Sequence, residues 1–185
     1  GGAAHDILDG GAGNDVLYGG ADLTPSGVIR ENDGSGDAYR FGRGDGHDIV
    51  IDDSWLEAEG DRIELKSGLT ADDVRLERVV NRNGWRTTDD LKFTIRDTGE
   101  TLLVRKHFDA GNRYAIEEIT FSDGTLWDAE AIRSRVLLGD AGNDNLYGGN
   151  AVDSLWGGND NDRLFGGEDN DRLYGGAGND RLDAD

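Results

Sequence analysis

GGNDNDRLFGGEDNDRLYGGAGNDRLD, residues 157–183, comes back to Asp-Arg-Leu three times, each time nine residues after the last and after a pair of glycines. Nine residues is neither the 3.6-residue period of a helix nor the two-residue alternation of a plain strand. Working outward, GDAGNDNLY (139–147) and GGNAVDSLW (148–156) keep the same rule, so five repeats run without a gap from 139 to 183. At the other end GGAAHDILD (1–9) and GGAGNDVLY (10–18) obey it too. The register then fails, with Thr24 where an aspartate is due.

One repeat reads GGxGxDxUx, with U a large apolar residue. Glycines at the first, second and fourth positions allow positive φ and let backbone carbonyls approach a common point, to which the sixth-position aspartate adds a carboxylate. The last three positions make a short strand whose central leucine, Leu146, Leu155, Leu164, Leu173 or Leu182, is expected to point inward. Two units complete a winding of eighteen residues. Stacked windings then bring Asp144 to Asp162, Asp153 to Asp171, and Asp162 to Asp180. Like charges in register repel, and the turn carbonyls lack partners, unless cations lie between the windings. Flexible loops of hard oxygen donors suit Ca2+ better than Mg2+.

Composition agrees. The chain of 185 residues carries 39 acidic against 19 basic residues, a net charge of -20, with 35% apolar residues and no cysteine or methionine. Disulfides and thiolate metal sites are thereby excluded. The acidic balance argues against nucleic acid or an anionic membrane as partner, and no apolar run is long enough to span a bilayer. Gly1 opens the chain without an initiator methionine or signal segment, so the sequence reads as part of a longer protein.

Between the blocks, DAYRFGRGDGHDIVIDD and EGDRIEL keep a worn form of the pattern, with Asp37, Asp48 and Asp61 just before apolar positions. From about Leu69 to Trp127 strand signals replace the glycine spacing: DVRLERVV, DDLKFTIRD, ETLLVRKHF and AIEEITF, with turns at Asn83-Gly84, Thr98-Gly99 and Asp123-Gly124. Asp128 is placed to cap a short helix within WDAEAIRSRVLL (127–138).

Five consecutive matches to one nine-residue rule resemble the RTX nonapeptide repeats of haemolysin-type calcium-binding proteins. The middle region, in YRFGRGDGHDIVI (39–51), LKFTIRDTGETLLVRKHF (91–108) and IEEITFSDGTLWD (116–128), resembles the linker segments found between such blocks. The resemblance implies an all-β protein: a parallel β-roll in two blocks, residues 1–64 and 139–185, joined by a hairpin-rich antiparallel segment, 65–138, with one short helix. It also implies type I secretion as an unfolded chain, folding in extracellular calcium, and attachment to a larger parent polypeptide.

Carried over by position, the calcium ligands would be Asp6, Asp15, Asp144, Asp153, Asp162, Asp171 and Asp180, with turn carbonyls at Gly149, Gly158, Gly167 and Gly176. Asp160, Asp169 and Gly178, at fourth positions, join the metal-binding set. Asp33, Asp37, Asp48 and Asp61 are further candidates in repeats that lack one or more glycines. Ala4, Ala151, Asp160 and Asp169 stand where the pattern has glycine, so either those turns use negative φ or their sites are weaker. With Thr24 and Pro25 interrupting the register, Asp6 has no evident partner in the next winding.

Plainer readings stand beside these. The aspartates could be turn formers. The rows Tyr147/Phe165 and Trp156/Tyr174 could stack on a glycan, though cross-strand packing is the commoner role of such rows. Arg163, Arg172 and Arg181 offset neighbouring acids, His5, His47 and His107 read as solvated loop residues, and Trp55, Trp85 and Trp127 as parts of the linker core. HExxH, GxSxG, a cysteine nucleophile and a phosphate loop are all missing, and no Asp-Pro bond occurs, so no catalytic residue is assigned. A calcium-folded module is the first expectation and a glycan- or ligand-binding module the alternative.

Overall fold

The computed structural model describes residues 5–19, 36–52, 60–83, 86–109 and 115–184. Asp33, Trp55 and Trp85 lie outside them, as does the Asn83-Gly84 turn in part. Contacts divide the chain into two compact units, one of Gly1–Leu76 with Val80–Ala129, the other of Glu77–Val79 with Glu130–Asp185.

In the first unit the glycine turns separate short strands: β1 (Ile7–Asp9), β2 (Val16–Tyr18), β3 (Ala38–Phe41), β4 (His47–Ile51) and β5 (Arg62–Leu65). A 3-10 turn at Ala71–Asp73 leads to β6 (Val74–Asn83) and β7 (Arg86–Ile95). These are followed by β8 (Thr101–Val104), β9 (Glu118–Thr120) and β10 (Leu126–Asp128). Strands alternate between two mixed sheets, ordered β1-β3-β5-β9-β10 and β2-β4-β8-β7-β6.

Strand pairing carries the middle segment into the N-terminal sheets. β8 joins β4 and β9 joins β5 in parallel register, while β7 and β10 add on antiparallel. The antiparallel linker expected between 65 and 138 is therefore corrected to a mixed one, with β7/β8 and β9/β10 antiparallel and β8 and β9 parallel to the N-terminal strands. The cause is the inward alternation of Leu102, Val104 and Ile119, all fully buried, which continues that of Tyr39, Phe41, Val50 and Ile63. Phe41 of one sheet meets Phe93 of the other edge-on, with centroids 5.9 Å apart. Trp127 belongs to this core as expected, 5% exposed and in contact with Phe121.

In the second unit the helix α1 (Ala129–Arg135) begins directly after Asp128 and buries Ile132. The repeats then form β11 (Asn145–Gly149), β12 (Ser154–Asn159), β13 (Arg163–Gly167), β14 (Arg172–Ala177) and β15 (Arg181–Asp183). Odd and even strands separate into two parallel sheets, β11-β13-β15 and β12-β14, with Leu146 beside Leu164 beside Leu182 and Leu155 beside Leu173. Leu146, Leu155 and Leu164 are buried between the sheets, whereas Leu182 is 45% exposed. Leu182 keeps the register of Leu164, on the same face of the sheet as predicted, but is left largely uncovered there.

Candidate metal centres

Each strand of the repeats is entered through its sixth-position aspartate, and the parallel register sets these acids one above another. Carboxylate does not face carboxylate. Asp162 Oδ1 accepts from Asp144 N at 2.9 Å, Asp180 Oδ1 from Asp162 N at 3.1 Å, and Asp171 Oδ1 from Asp153 N at 2.9 Å. One oxygen of each acid thus satisfies the amide of the acid one winding earlier. The second oxygen behaves differently. Asp144 Oδ2 accepts from Asp140 N, but Asp162 Oδ2 and Asp171 Oδ2 are buried without a hydrogen-bond partner. Burial, and then the nearby Asp171 carboxylate, push the Asp153 carboxyl above its usual range.

The glycines make room for this arrangement. A Cβ on Gly157 would lie 2.3 Å from Asp162 Oδ2 and 2.4 Å from the Gly175 carbonyl. Gly176, at φ +100°, would put a Cβ 2.1 Å from the carbonyl of Gly158. The carbonyls of Gly149 and Asp160 crowd Gly167 and Gly178 in the same way, so each turn presents oxygen atoms to the turn of the next winding. At the fourth position Asp160 and Asp169 adopt φ of 66° and 72°, the left-handed conformation that glycine would have taken. Ala151 is not among the positive-φ residues, so the negative-φ alternative holds there and not at Asp160 and Asp169; Ala4 lies outside the described residues.

The first unit repeats the ladder at irregular spacing. Asp37 Oδ1 accepts from Asp6 N at 2.9 Å, Asp61 Oδ1 from Asp37 N at 2.7 Å, and Glu117 Oε2 from Asp61 N at 2.8 Å. Asp6 therefore has a partner, thirty-one residues on, in place of the one that Thr24 fails to supply. Glu117 escaped the sequence reading because it is not an aspartate and follows no glycine pair; its place just before β9 is the signal that marks it. On the other side Asp48 Oδ1 accepts from Asp15 N at 2.9 Å, and Asp15 Oδ2 and Asp48 Oδ2 are again buried without partners.

Burial also raises the carboxyls of Asp37 and Asp48. Deeper still, Tyr39 donates its hydroxyl to Asp52 Oδ2 at 2.8 Å. Burial, with the nearby Asp61, pushes Asp52 up to about 8, and burial raises Asp61 to about 6.

Among the described residues no group of three or more His, Cys, Asp or Glu side chains is arranged to hold a metal. The donor set is instead a buried, unpartnered carboxylate oxygen at Asp15, Asp48, Asp162 and Asp171, with backbone carbonyls crowding the glycine turns. That fits a hard cation with oxygen ligands and a tolerant geometry. The orphaned oxygens at Asp15, Asp48, Asp162 and Asp171 are the observation on which the fit rests, because a buried anionic oxygen without a partner is costly.

Outside the turns, Tyr147 stacks on Phe165 with centroids 5.0 Å apart and ring planes at 7°, and Trp156 on Tyr174 at 5.2 Å and 10°. The rings present their faces to each other. Exposed asparagines form a third row, Asn143 to Asn161 to Asn179, each side-chain oxygen accepting from the next backbone amide at 2.9 Å. His107, expected in solvent, is buried, and its Nδ1 accepts from Ile116 N, because the segment after β8 folds into the core.

Comparison with known proteins matches residues 1–22, 136–164 and 156–185 to the RTX calcium-binding nonapeptide repeat, four copies, and residues 90–131 to the haemolysin-type calcium binding protein related domain. The chain is similar to the iron-regulated protein FrpA of Neisseria meningitidis serogroup C, at 30% identity over 111 residues, 59% of this chain. It spans 9% of that protein's length.

Proposed function

Because its two end blocks are RTX calcium-binding nonapeptide repeats and its middle segment a haemolysin-type calcium binding protein related domain, we propose that this chain is a calcium-folded module of a larger secreted bacterial protein. The reading takes the two parallel sheets of the second unit as a β-roll with calcium between successive windings. Asp144, Asp153, Asp162, Asp171 and Asp180, with the carbonyls of the neighbouring glycine turns, would hold the ions there. Asp15 with Asp48, and the row of Asp6, Asp37 and Asp61, would serve in the first unit.

A bound divalent cation supplies positive charge to the oxygens that the fold leaves without a donor. The residues do the rest. Sixth-position aspartates hold the register through their Oδ1 bonds, glycines keep the turns narrow, and the leucines close the space between the sheets. The carrying observation is that, among the described residues, the buried carboxylate oxygens lacking a partner all belong to aspartates where a glycine turn enters a strand, just before it at Asp15, Asp162 and Asp171 and at its second residue at Asp48.

With a net charge of -20 and few apolar residues, the repeats are expected to stay unfolded where calcium is scarce, as in the cytoplasm before type I export, and to fold outside the cell. The partners are calcium, the parent polypeptide and, during export, the secretion apparatus; the module's own role is to bind calcium and fold, not to catalyse. Circular dichroism tests this. Millimolar calcium is expected to convert a largely disordered repeat signal in EDTA into a strand signal, with magnesium a poor substitute. Equal strand content with and without calcium would refute the reading.

A further inference from the structure

Lys66 follows β5, and its side chain runs back along the first sheet toward the strands before its own. Its Nζ lies 2.7 Å from Asp9 Oδ1, at the end of β1, and 2.9 Å from Asp45, in the turn after β3. One ammonium thus joins carboxylates contributed by two successive windings from the edge of a third. Asp45 is 5% exposed, and its Oδ2 also accepts from Gly42 N at 2.8 Å. Gly42 is what lets the lysine pass, since a Cβ there would lie 2.5 Å from Lys66 Cβ.

The rest of this turn is also satisfied by side chains. Gly44 N and Gly46 N both donate to Glu100 Oε1, at 2.8 and 3.2 Å. Arg43 is held by Asp97 and Asp73. Burial lowers the Lys66 ammonium, but its hydrogen bonds to Asp9 and Asp45 outweigh that and hold it above its usual range, so it is charged at any physiological pH. The sixth-position acids of the second unit, Asp162 and Asp171, keep buried oxygens with no donor; Asp9 and Asp45, at other positions of their turns, share a built-in one.

We propose that the Lys66 ammonium takes the place of a metal ion between Asp9 and Asp45, so that the strands around the Gly42–Asp45 turn hold together with calcium withdrawn. Asp15 and Asp48, in the same pair of turns, keep unpartnered oxygens and remain a calcium pair; Lys66 serves the other two acids. These turns then have two kinds of fastening, one by an ion taken from solution and one by the chain's own lysine. The inference rests on the calcium reading only for this contrast.

Hydrogen exchange followed by mass spectrometry on the full chain, in EDTA and in millimolar calcium chloride, tests it with Lys66→Met, which keeps the stem, and Lys66→Arg, which keeps the charge. In EDTA the unsubstituted chain is expected to protect residues 38–48 and 62–66. Lys66→Met is expected to exchange there at least about tenfold faster, and Lys66→Arg to stay close to the unsubstituted chain. Calcium is expected to restore protection to Lys66→Met.

Three results would each overturn the proposal: no protection of 38–48 in the unsubstituted chain in EDTA, unchanged exchange in Lys66→Met, or equal loss in both variants. Peptides from 139–183 read the calcium proposal separately. If those show no calcium dependence, that reading fails while the EDTA comparison at Lys66 still decides this one.

Discussion

Replacing Asp162 by Asn removes one negative charge from the most deeply placed acid of the C-terminal ladder, 1% exposed, while leaving an Oδ1 that still accepts from Asp144 N. The amide above keeps its bond, so the perturbation falls on the orphaned Oδ2 and on the ions it would hold. Asp162 stands between Asp144 and Asp180 and serves two interfaces; Asp180 is bonded only to Asp162 and serves one. A bond to a charged group contributes about 1.5–3 kcal/mol, so Asp162→Asn is expected to cost roughly 3 kcal/mol and Asp180→Asn roughly half that.

Folding of the second unit spans the pairs 144/162, 153/171 and 162/180, which we take as about three ions. The cost per ion is then about 1 kcal/mol for Asp162→Asn, which raises the calcium concentration at half-folding roughly fivefold, against roughly twofold for Asp180→Asn. A calcium titration followed by far-ultraviolet circular dichroism measures both midpoints. A shift for Asp162→Asn no larger than for Asp180→Asn would refute the reasoning, because the double interface is its only source.

Gly176→Ala and Gly124→Ala separate backbone strain from steric exclusion. Both positions have positive φ, which costs an alanine about 1–2 kcal/mol, but a Cβ at Gly176 meets the Gly158 carbonyl at 2.1 Å while one at Gly124 meets nothing within 4 Å. In calcium-saturated urea unfolding, Gly176→Ala is therefore expected to lose at least about 2 kcal/mol more than Gly124→Ala. The buried Asp52–Asp61 pair gives a pH dependence of known sign. Its raised carboxyls keep a proton in the folded chain that the unfolded chain has already released, so in EDTA the first unit's stability falls as pH rises from about 4 to about 8. Asp52→Asn is expected to flatten that slope in thermal unfolding monitored across this range; an unchanged slope would show that Asp52 is not its source.

The nine-residue register of the C-terminal block was fully legible because each of its reasons is local. The first glycine exists for the aspartate five residues later, and the leucine at the eighth position faces its like one winding on, as Leu155 faces Leu173. What could not be read depends on where distant segments return. Asp6 finds Asp37 across an interruption, and Glu117 stands in for an aspartate. β8 and β9 complete windings begun far earlier, and no spacing rule records a parallel pairing closed through such long excursions. Asp160 and Asp169 show the opposite limit: the sequence named the position, and only the backbone could say which side of zero φ takes. Lys66 was invisible for the same reason as Glu117, since neither resembles the residue whose work it does.

The ladder of Oδ1 bonds has a direction. The amide of Asp144 is satisfied by Asp162 Oδ1, and that of Asp162 by Asp180 Oδ1, each from one winding later. Loss of one side-chain Oδ1 therefore strands the amide on its N-terminal side and leaves the hydrogen bond on its C-terminal side in place. Repairs and faults alike propagate along this edge as along a zip with a single pull.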